Sequence, residues 1–235
     1  AARKAPGVIR VVTAKDLGPL HPLSFLVALP GMKQARCQYL AEEVVDSTGV
    51  PVAAVVAESP SLARDAIDLI EVQYEPLPAV SDPELALQPG APLAHPELGT
   101  NQAFSLPVKG GDVGGAFAQA THIVKVRVEH NRIAGVPMEP RGVIARYDPG
   151  TEELTVWLTT QTPFSARADL AAILDFPEQK LRLIAPDVGG GFGVKGPVYR
   201  EEVVAATLAR QLGRPIQWMS TRNEDLLTTH HGRAA

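Results

Sequence analysis

The chain has 235 residues, of which 45% are hydrophobic and 20% charged, with a formal net charge of −4. At roughly 150 residues per domain, this length allows one large domain or two small ones, with enough apolar content to bury a core without disulfide or metal staples. The acidic balance excludes a nucleic-acid binder held by phosphate neutralisation. The single cysteine, Cys37, excludes an internal disulfide or a cysteine-rich zinc or iron–sulfur site within these residues.

No apolar run reaches the roughly 18–20 residues of a membrane span. The first residues, AARKAPGVIRVV, lack the apolar core and small-residue cleavage site of a signal peptide, so a cytoplasmic protein is expected. The 20 glycines and 21 prolines are spread along the chain and predict many turns between short elements.

In chain order, residues 7–12 (GVIRVV) predict a short strand, and Thr13 to Leu17 a capped helical turn. Val52 to Ala57 predicts a buried strand. Ser59 and Pro60 then supply a helix N-cap with proline in the first turn. The helix is expected to run to about Leu69, with Leu62, Ala66 and Leu69 on one face. Ile70 to Tyr74 alternates apolar and polar residues, which predicts a half-exposed strand completing a compact α/β unit. Residues 83–111, punctuated by prolines and glycines, read as a connector between a first unit at 1–82 and a second at 112–235.

In the second unit Ile123 to Glu129, Val143 to Tyr147 and Leu154 to Leu158 all alternate. With Asp148-Pro149-Gly150-Thr151 between the last two, the pattern predicts an antiparallel hairpin and a partner strand. Thr162 and Pro163 open a helix to about Leu174, Leu181 to Ala185 is a strand, and Val198 to Leu212 is a long helix stopped by Gly213. Ile216 to Met219 is a further strand. The fold class is α+β.

The glycine-rich turn Gly189 to Gly196 lies between a predicted strand and a predicted helix. Glycines let main-chain N–H groups come close to a ligand, and a helix N-terminus beside them favours phosphate or a metal-bound oxygen. Gly191 to Gly196 satisfies the dinucleotide pattern G-x-G-x-x-G, yet the following strand, Ile216 to Met219, lacks the ribose-binding acid. Other polar residues carry weaker signals. His230 and His231 are adjacent and point apart, and His21, His95, His122 and His130 have no ligand spacing. Glu201 and Glu202 sit where negative charge offsets a helix dipole, and Cys37 is expected to be a buried thiol.

The stretch Asp187-Val188-Gly189-Gly190-Gly191-Phe192-Gly193-Val194-Lys195 resembles the signature of the molybdenum hydroxylases. These are the xanthine dehydrogenase, aldehyde oxidase and carbon monoxide dehydrogenase family, in their molybdopterin-binding large subunit. Residues 51–58 with 66–78 resemble the α/β hammerhead domain that begins those subunits. Met138 to Gly142, Thr160 to Pro163, and Arg222 to Arg233 resemble the family in the same order, and Asp187 to Tyr199 with His231-Gly232-Arg233 most resemble the carbon-monoxide-dehydrogenase-type branch.

The resemblance implies a hammerhead domain, its first strand missing, followed by the first part of a molybdopterin-binding domain. It implies that the Gln161 side-chain amide contacts an oxo ligand of molybdenum. It further implies that the Phe192 and Gly193 main chain lies against metal and pterin, with Gly190 and Gly191 permitting the approach. No direct protein ligand to the metal is expected, and Glu139 is expected in a structural salt bridge. Purine-oxidising members carry a carboxylate where this chain has Gly196, so purines are disfavoured. The general-base glutamate is expected beyond Ala235, which makes this chain a fragment, inactive by itself.

The implied reaction oxidises a small substrate, such as an aldehyde or carbon monoxide, with water as the oxygen source. Its cofactor is molybdenum–molybdopterin, as such or as the cytosine dinucleotide. Electrons are expected to pass to a 2Fe-2S small subunit and an FAD-binding medium subunit, in a dimer of heterotrimers. Two alternatives stand beside this: a non-catalytic subunit-docking module, and an NAD-type oxidoreductase using the 191–196 turn.

Overall fold

The computed structural model describes residues 1–23 and 29–229, so His230, His231 and the family-like residues after them lie outside the described residues. Strand β1 (Val8–Val12) pairs antiparallel with β2 (Ala54–Ala57), with a register shift between Val8 and Arg10. The turn after β1 forms as its sequence predicts. The main-chain N–H and Oγ1 of Thr13 both donate to Asp16 Oδ2, at 2.7 and 2.9 Å. Helix α1 (Pro60–Ile67) follows β2, and Ser59 Oγ accepts the Leu62 N–H at 3.3 Å to cap it. Only Ala66 of its predicted apolar face is fully enclosed; Leu69 is exposed.

Short helices α2 (Pro83–Ala86) and α3 (Val113–Gln119) interrupt the Pro/Gly-rich region, each opened by an aspartate, Asp82 and Asp112. Two expected strands do not form. Residues 70–74 and 123–129 belong to no sheet among the described residues, and Tyr74, Ile123, Val124, Val126 and Val128 are exposed. Alternation marks a segment able to pair, but a ladder needs a neighbour to supply the opposing N–H and C=O groups. Among the described residues neither segment has one.

The larger sheet has the order β5-β4-β3-β6. The predicted hairpin is β3 (Gly142–Asp148) and β4 (Glu153–Leu158), in register from Val143 opposite Leu158 to Asp148 opposite Glu153. Asp148 Oδ1 accepts the Gly150 N–H at 2.8 Å and shapes the turn. The hairpin's partners are not residues 123–129. They are β5 (Leu181–Ile184), parallel to β4, and β6 (Ile216–Met219), antiparallel to β3.

Val143, Ala145, Leu154, Val156 and Leu158 share one face, as the two-residue period requires. Helices α4 (Pro163–Ile173) and α5 (Arg200–Leu212) cover that face with Ala166, Leu170, Ile173, Val203, Ala206 and Leu208. Val12 and Val56 from the first sheet, and Leu17 at the end of the turn after β1, join this same core. Gly213, at φ 60°, stops α5.

Among the described residues Arg141, Lys195, Glu202 and Asp225 are buried. Arg141, with no exposed surface, donates from its main-chain N–H and Nε to the two oxygens of Asp225, both at 3.1 Å. Its Nη1 reaches Glu201 at 3.2 Å and its Nη2 reaches Thr228 Oγ1 at 2.7 Å. The guanidinium lies 4.0 Å from the Tyr199 ring centre and 5.3 Å from that of Trp218. This joins β3 to α5 and to α6 (Arg222–Thr228). Glu201 is therefore an ion-pair partner as well as a dipole-compensating residue. Glu202 is buried and accepts the Tyr199 N–H at 3.0 Å, capping α5. Cys37 is half-buried, more open than expected.

Candidate functional site

The glycine turn leaves the end of β5 and enters α5, and three conformations in it are left-handed: Gly190 (φ 93°), Phe192 (φ 51°) and Gly193 (φ 89°). Positive φ is unfavourable for a residue with a side chain, so Phe192 holds this shape only because its surroundings impose it. Those surroundings are the entry to β3, at residues 137–141, and the exit of β4, at residues 159–162.

Gln161 is the centre of the arrangement. Its Oε1 accepts the N–H of Gly193 at 2.9 Å and that of Lys195 at 3.3 Å, and its own N–H donates to the Lys195 carbonyl at 2.9 Å. With the amide oxygen engaged on the turn, the donors that remain to this exposed side chain are its two Nε2 hydrogens. A side chain at Gly191 would collide with the Gln161 carboxamide, and one at Gly190 would come within 3.2 Å of Pro137. The five residues expected at the site, Gln161, Gly190, Gly191, Phe192 and Gly193, thus lie together, with Gly191 buried against the Gln161 carboxamide and Gln161, Phe192 and Gly193 exposed.

Glu139 does form a salt bridge, and its partner is in the same turn. Its Oε2 accepts from Lys195 Nζ at 2.7 Å and from the Gly189 N–H at 2.8 Å. Partial burial pulls the Glu139 carboxyl upward, but the Lys195 hydrogen bond, the Gly189 N–H and the Lys195 charge together hold it below the usual carboxylate range. Its stabilising contribution is therefore complete above 4.5, the ordinary value, and is lost as pH falls through the lower folded one.

Several parts of this surface are absent from the sequence-level expectation. Thr160 Oγ1 donates to the Lys195 carbonyl at 3.2 Å, Thr162 Oγ1 to the Gly196 carbonyl at 2.5 Å, and Tyr199 Oη to the Val194 carbonyl at 2.6 Å. The available signal was Lys195 itself. A lysine set between Val194 and Gly196 in an apolar stretch needs a nearby acid once it is buried.

The phosphate-cradle reading of the turn does not survive this geometry. The N–H groups of Gly189, Gly190, Gly193, Val194, Lys195 and Gly196 donate to Glu139, Val188, Gln161, Gly191, Gln161 and Gly193 respectively. A nucleotide pyrophosphate needs such donors aimed at itself. The start of α5 is moreover occupied by Glu201, which opposes an anion. Among the described residues no three His, Cys, Asp or Glu side chains gather closely enough to hold a metal ion. No helix among them is long and apolar enough to cross a membrane.

Comparison with known proteins places these features in context. Residues 94–235 match the molybdopterin cofactor-binding domain, and residues 1–78 match the aldehyde oxidase and xanthine dehydrogenase a/b hammerhead domain. The chain is 39% identical over 237 residues to the 6-hydroxypseudooxynicotine dehydrogenase complex subunit gamma of Paenarthrobacter nicotinovorans, covering 99% of this chain and 30% of that protein. It is 38% identical over 247 residues to the carbon monoxide dehydrogenase large chain of Afipia carboxidovorans, again covering 99% of this chain and 30% of the relative. Quinoline 2-oxidoreductase from Pseudomonas putida 86 superimposes with a TM-score of 0.91 at 34% identity, over 99% of this chain and 30% of that structure's chain. The chain thus spans about 30% of the length of the relatives it matches.

Proposed function

Because the chain belongs to the molybdenum hydroxylase family of xanthine dehydrogenase, aldehyde oxidase and carbon monoxide dehydrogenase, we propose that its glycine turn and Gln161 form the molybdenum–pterin face of a large subunit. The observation that carries this reading is the Gln161 carboxamide, whose oxygen is held by the Gly193 and Lys195 N–H groups while Gly191 leaves room for it. That anchoring leaves amide N–H donors for an oxygen on the bound group. The residues fit the group in a second way: the bare backbone at Gly190 and Gly193 lets a flat ligand approach the main chain around Phe192.

When bound, the cofactor supplies the two-electron oxidation of a small substrate, with water as the oxygen source. The residues of this chain bind and orient. Gln161 donates from its amide, the main chain of Phe192 and Gly193 abuts the cofactor, and Glu139 with Lys195 secures the turn from behind. The general base belongs to the remainder of the large subunit. Aldehydes, carbon monoxide and N-heteroaromatic compounds are the substrate classes, in keeping with the carbon monoxide and nicotine-derived substrates named for its relatives. Gly196 offers no carboxylate to a purine.

With one cysteine in these residues, iron–sulfur clusters have to reside elsewhere, and relatives named as a large chain or a subunit gamma support a multi-subunit assembly. The proposed complex is a cytoplasmic dimer of heterotrimers with a 2Fe-2S subunit and an FAD subunit, the pterin as such or as its cytosine dinucleotide.

The test is metal content of the full-length large subunit co-expressed with its partners. Near-stoichiometric molybdenum is expected, falling in Gln161→Ala and in Phe192→Asp. Wild-type complex without molybdenum under ample molybdate would sink the reading and favour a docking module.

A further inference from the structure

The glycine turn is held from two sides, and the two holds meet in one residue. Glu139 Oε2 bridges the turn's first N–H, at Gly189, and the ammonium of Lys195 six positions on. The Glu139 N–H returns a bond to the Gly189 carbonyl at 3.2 Å, and a Cβ at Gly189 would lie 2.6 Å from that of Glu139. No other residue type at 189 could sit as close. Lys195 in turn meets Gln161 through its N–H and its carbonyl. A continuous path therefore runs from the Glu139 carboxylate through Lys195 to the Gln161 amide.

The two ends of that path are differently placed. The Lys195 side chain has no exposed surface, whereas the Glu139 side chain is 31% exposed. A fully enclosed ammonium cannot be left without a counter-charge, so losing the Glu139 charge forces Lys195 to seek water and pulls on the main chain that Gln161 reads. A salt bridge needed only for stability has no reason to span both ends of the turn through one oxygen.

We propose that Glu139 is a positioning residue of the cofactor face: through its bridge between Gly189 and Lys195 it sets the shape of the glycine turn and hence the orientation of the Gln161 amide. Glu139 acts through Lys195 and does not itself touch the cofactor. The inference rests on the reading of this face as a molybdenum–pterin site, and its test separates the two.

The experiment uses the full-length complex, prepared once without molybdate and once loaded. Wild type is compared with Glu139→Gln, which keeps shape and removes charge, and with the double variant Glu139→Gln, Lys195→Met, which removes the stranded ammonium as well. In the molybdenum-free complex, amide hydrogen exchange across 189–196 is expected to speed up about tenfold or more in Glu139→Gln, the loss of roughly one charge-assisted hydrogen bond. Exchange in residues 142–158 is expected to stay unchanged. The double variant, which lacks the bridge altogether, is expected to keep fast exchange in the turn. In the loaded complex, the Mo(V) electron paramagnetic resonance spectrum of Glu139→Gln is expected to shift, and that of the double variant to be shifted as well.

Exchange in Glu139→Gln within twofold of wild type overturns the proposal. So does faster exchange with an unshifted spectrum, because Glu139 would then hold the turn without positioning anything on it. Should the single variant not assemble, a double variant that assembles with fast exchange and a shifted spectrum supports the proposal, and one that assembles with wild-type exchange and spectrum overturns it. A wild-type complex that takes up no molybdenum fails the cofactor reading itself, whatever the exchange data say.

Discussion

Two charge networks leave the same short stretch of chain and end in opposite environments. Glu139 turns toward the glycine loop, where its partner is buried but its own carboxylate is part-open to solvent. Arg141, two residues later, turns into the core and is closed in by Asp225, Glu201, Thr228 and the Tyr199 ring. Both bring together oppositely charged groups at 2.7–3.2 Å. The difference lies in what surrounds them. The Arg141 network ties three elements together and has no ligand to present, whereas the Glu139 network shapes a surface that other groups can reach.

The comparison is broken most readily at Arg141. Replacing it by methionine leaves Asp225 and Glu201 enclosed without their cation and opens the joint between β3, α5 and α6. A loss of about 3–5 kcal/mol is expected, the cost of stranding one side of a buried ion pair. Urea unfolding of Arg141→Met against wild type measures it. A loss below about 1 kcal/mol would mean that the two aromatic rings and the strand ladder hold this joint unaided.

A smaller effect should come from Glu202, which neighbours the Arg141 network without pairing in it. Burial pushes its carboxyl up to about 8, against the Tyr199 N–H and the Arg141 charge, while the Glu201 charge adds to the rise. The folded chain therefore keeps a proton that the unfolded chain releases near 4.5. Stability contributed by this group is whole below 4.5, falls as pH rises, and is spent above about 8. Glu202→Gln, which keeps the acceptor for the Tyr199 N–H, is expected to flatten that fall. Between pH 5.5 and 8.5 the variant should lose about 2–3 kcal/mol less than wild type. Parallel pH–stability curves from thermal or urea unfolding would show that Glu202 is ionised throughout.

The same contrast explains which parts of the molecule can be read from residues alone. The hairpin β3–β4, helices α4 and α5 and the stop of α5 at Gly213 follow from local patterns, because period, cap and turn chemistry act within a few residues. The glycine turn stands out for a related reason, since unusual residue types are crowded into a short motif, whereas Gln161 is drawn to it only through the family resemblance and the contacts of its carboxamide. Arg141 and Asp225 are 84 positions apart, and Lys195 and Glu139 are 56 apart, with nothing local joining either pair. Glu201 and Glu202 looked alike in sequence, both acids in a first helical turn, yet one meets a cation and the other caps a backbone N–H. The alternation at 70–74 and 123–129 records a capacity to pair, and pairing depends on what lies alongside.

The finest test of the comparison uses a pair with the same geometry and no enclosure. Lys180 Nζ lies 2.6 Å from Glu152 Oε2, as close as Lys195 lies to Glu139, but the two side chains are 38% and 65% exposed. Water and salt screen such a pair, and holding two long side chains together costs entropy that offsets most of the attraction. The Glu152 hydrogen bond raises Lys180 and the Lys180 hydrogen bond lowers Glu152, yet a pair this open to solvent has little to contribute. Lys180→Met should leave the unfolding midpoint within experimental scatter of wild type at moderate salt. Lys195→Met, which strands only a carboxylate that can reach solvent, should lower the midpoint measurably but by less than Arg141→Met. If the three variants rank in that order, burial and not distance decides what a charge pair does in this protein. If Lys180→Met matches Lys195→Met, the Glu139 pair behaves as a surface contact, and enclosure of one partner alone does not make it a clamp.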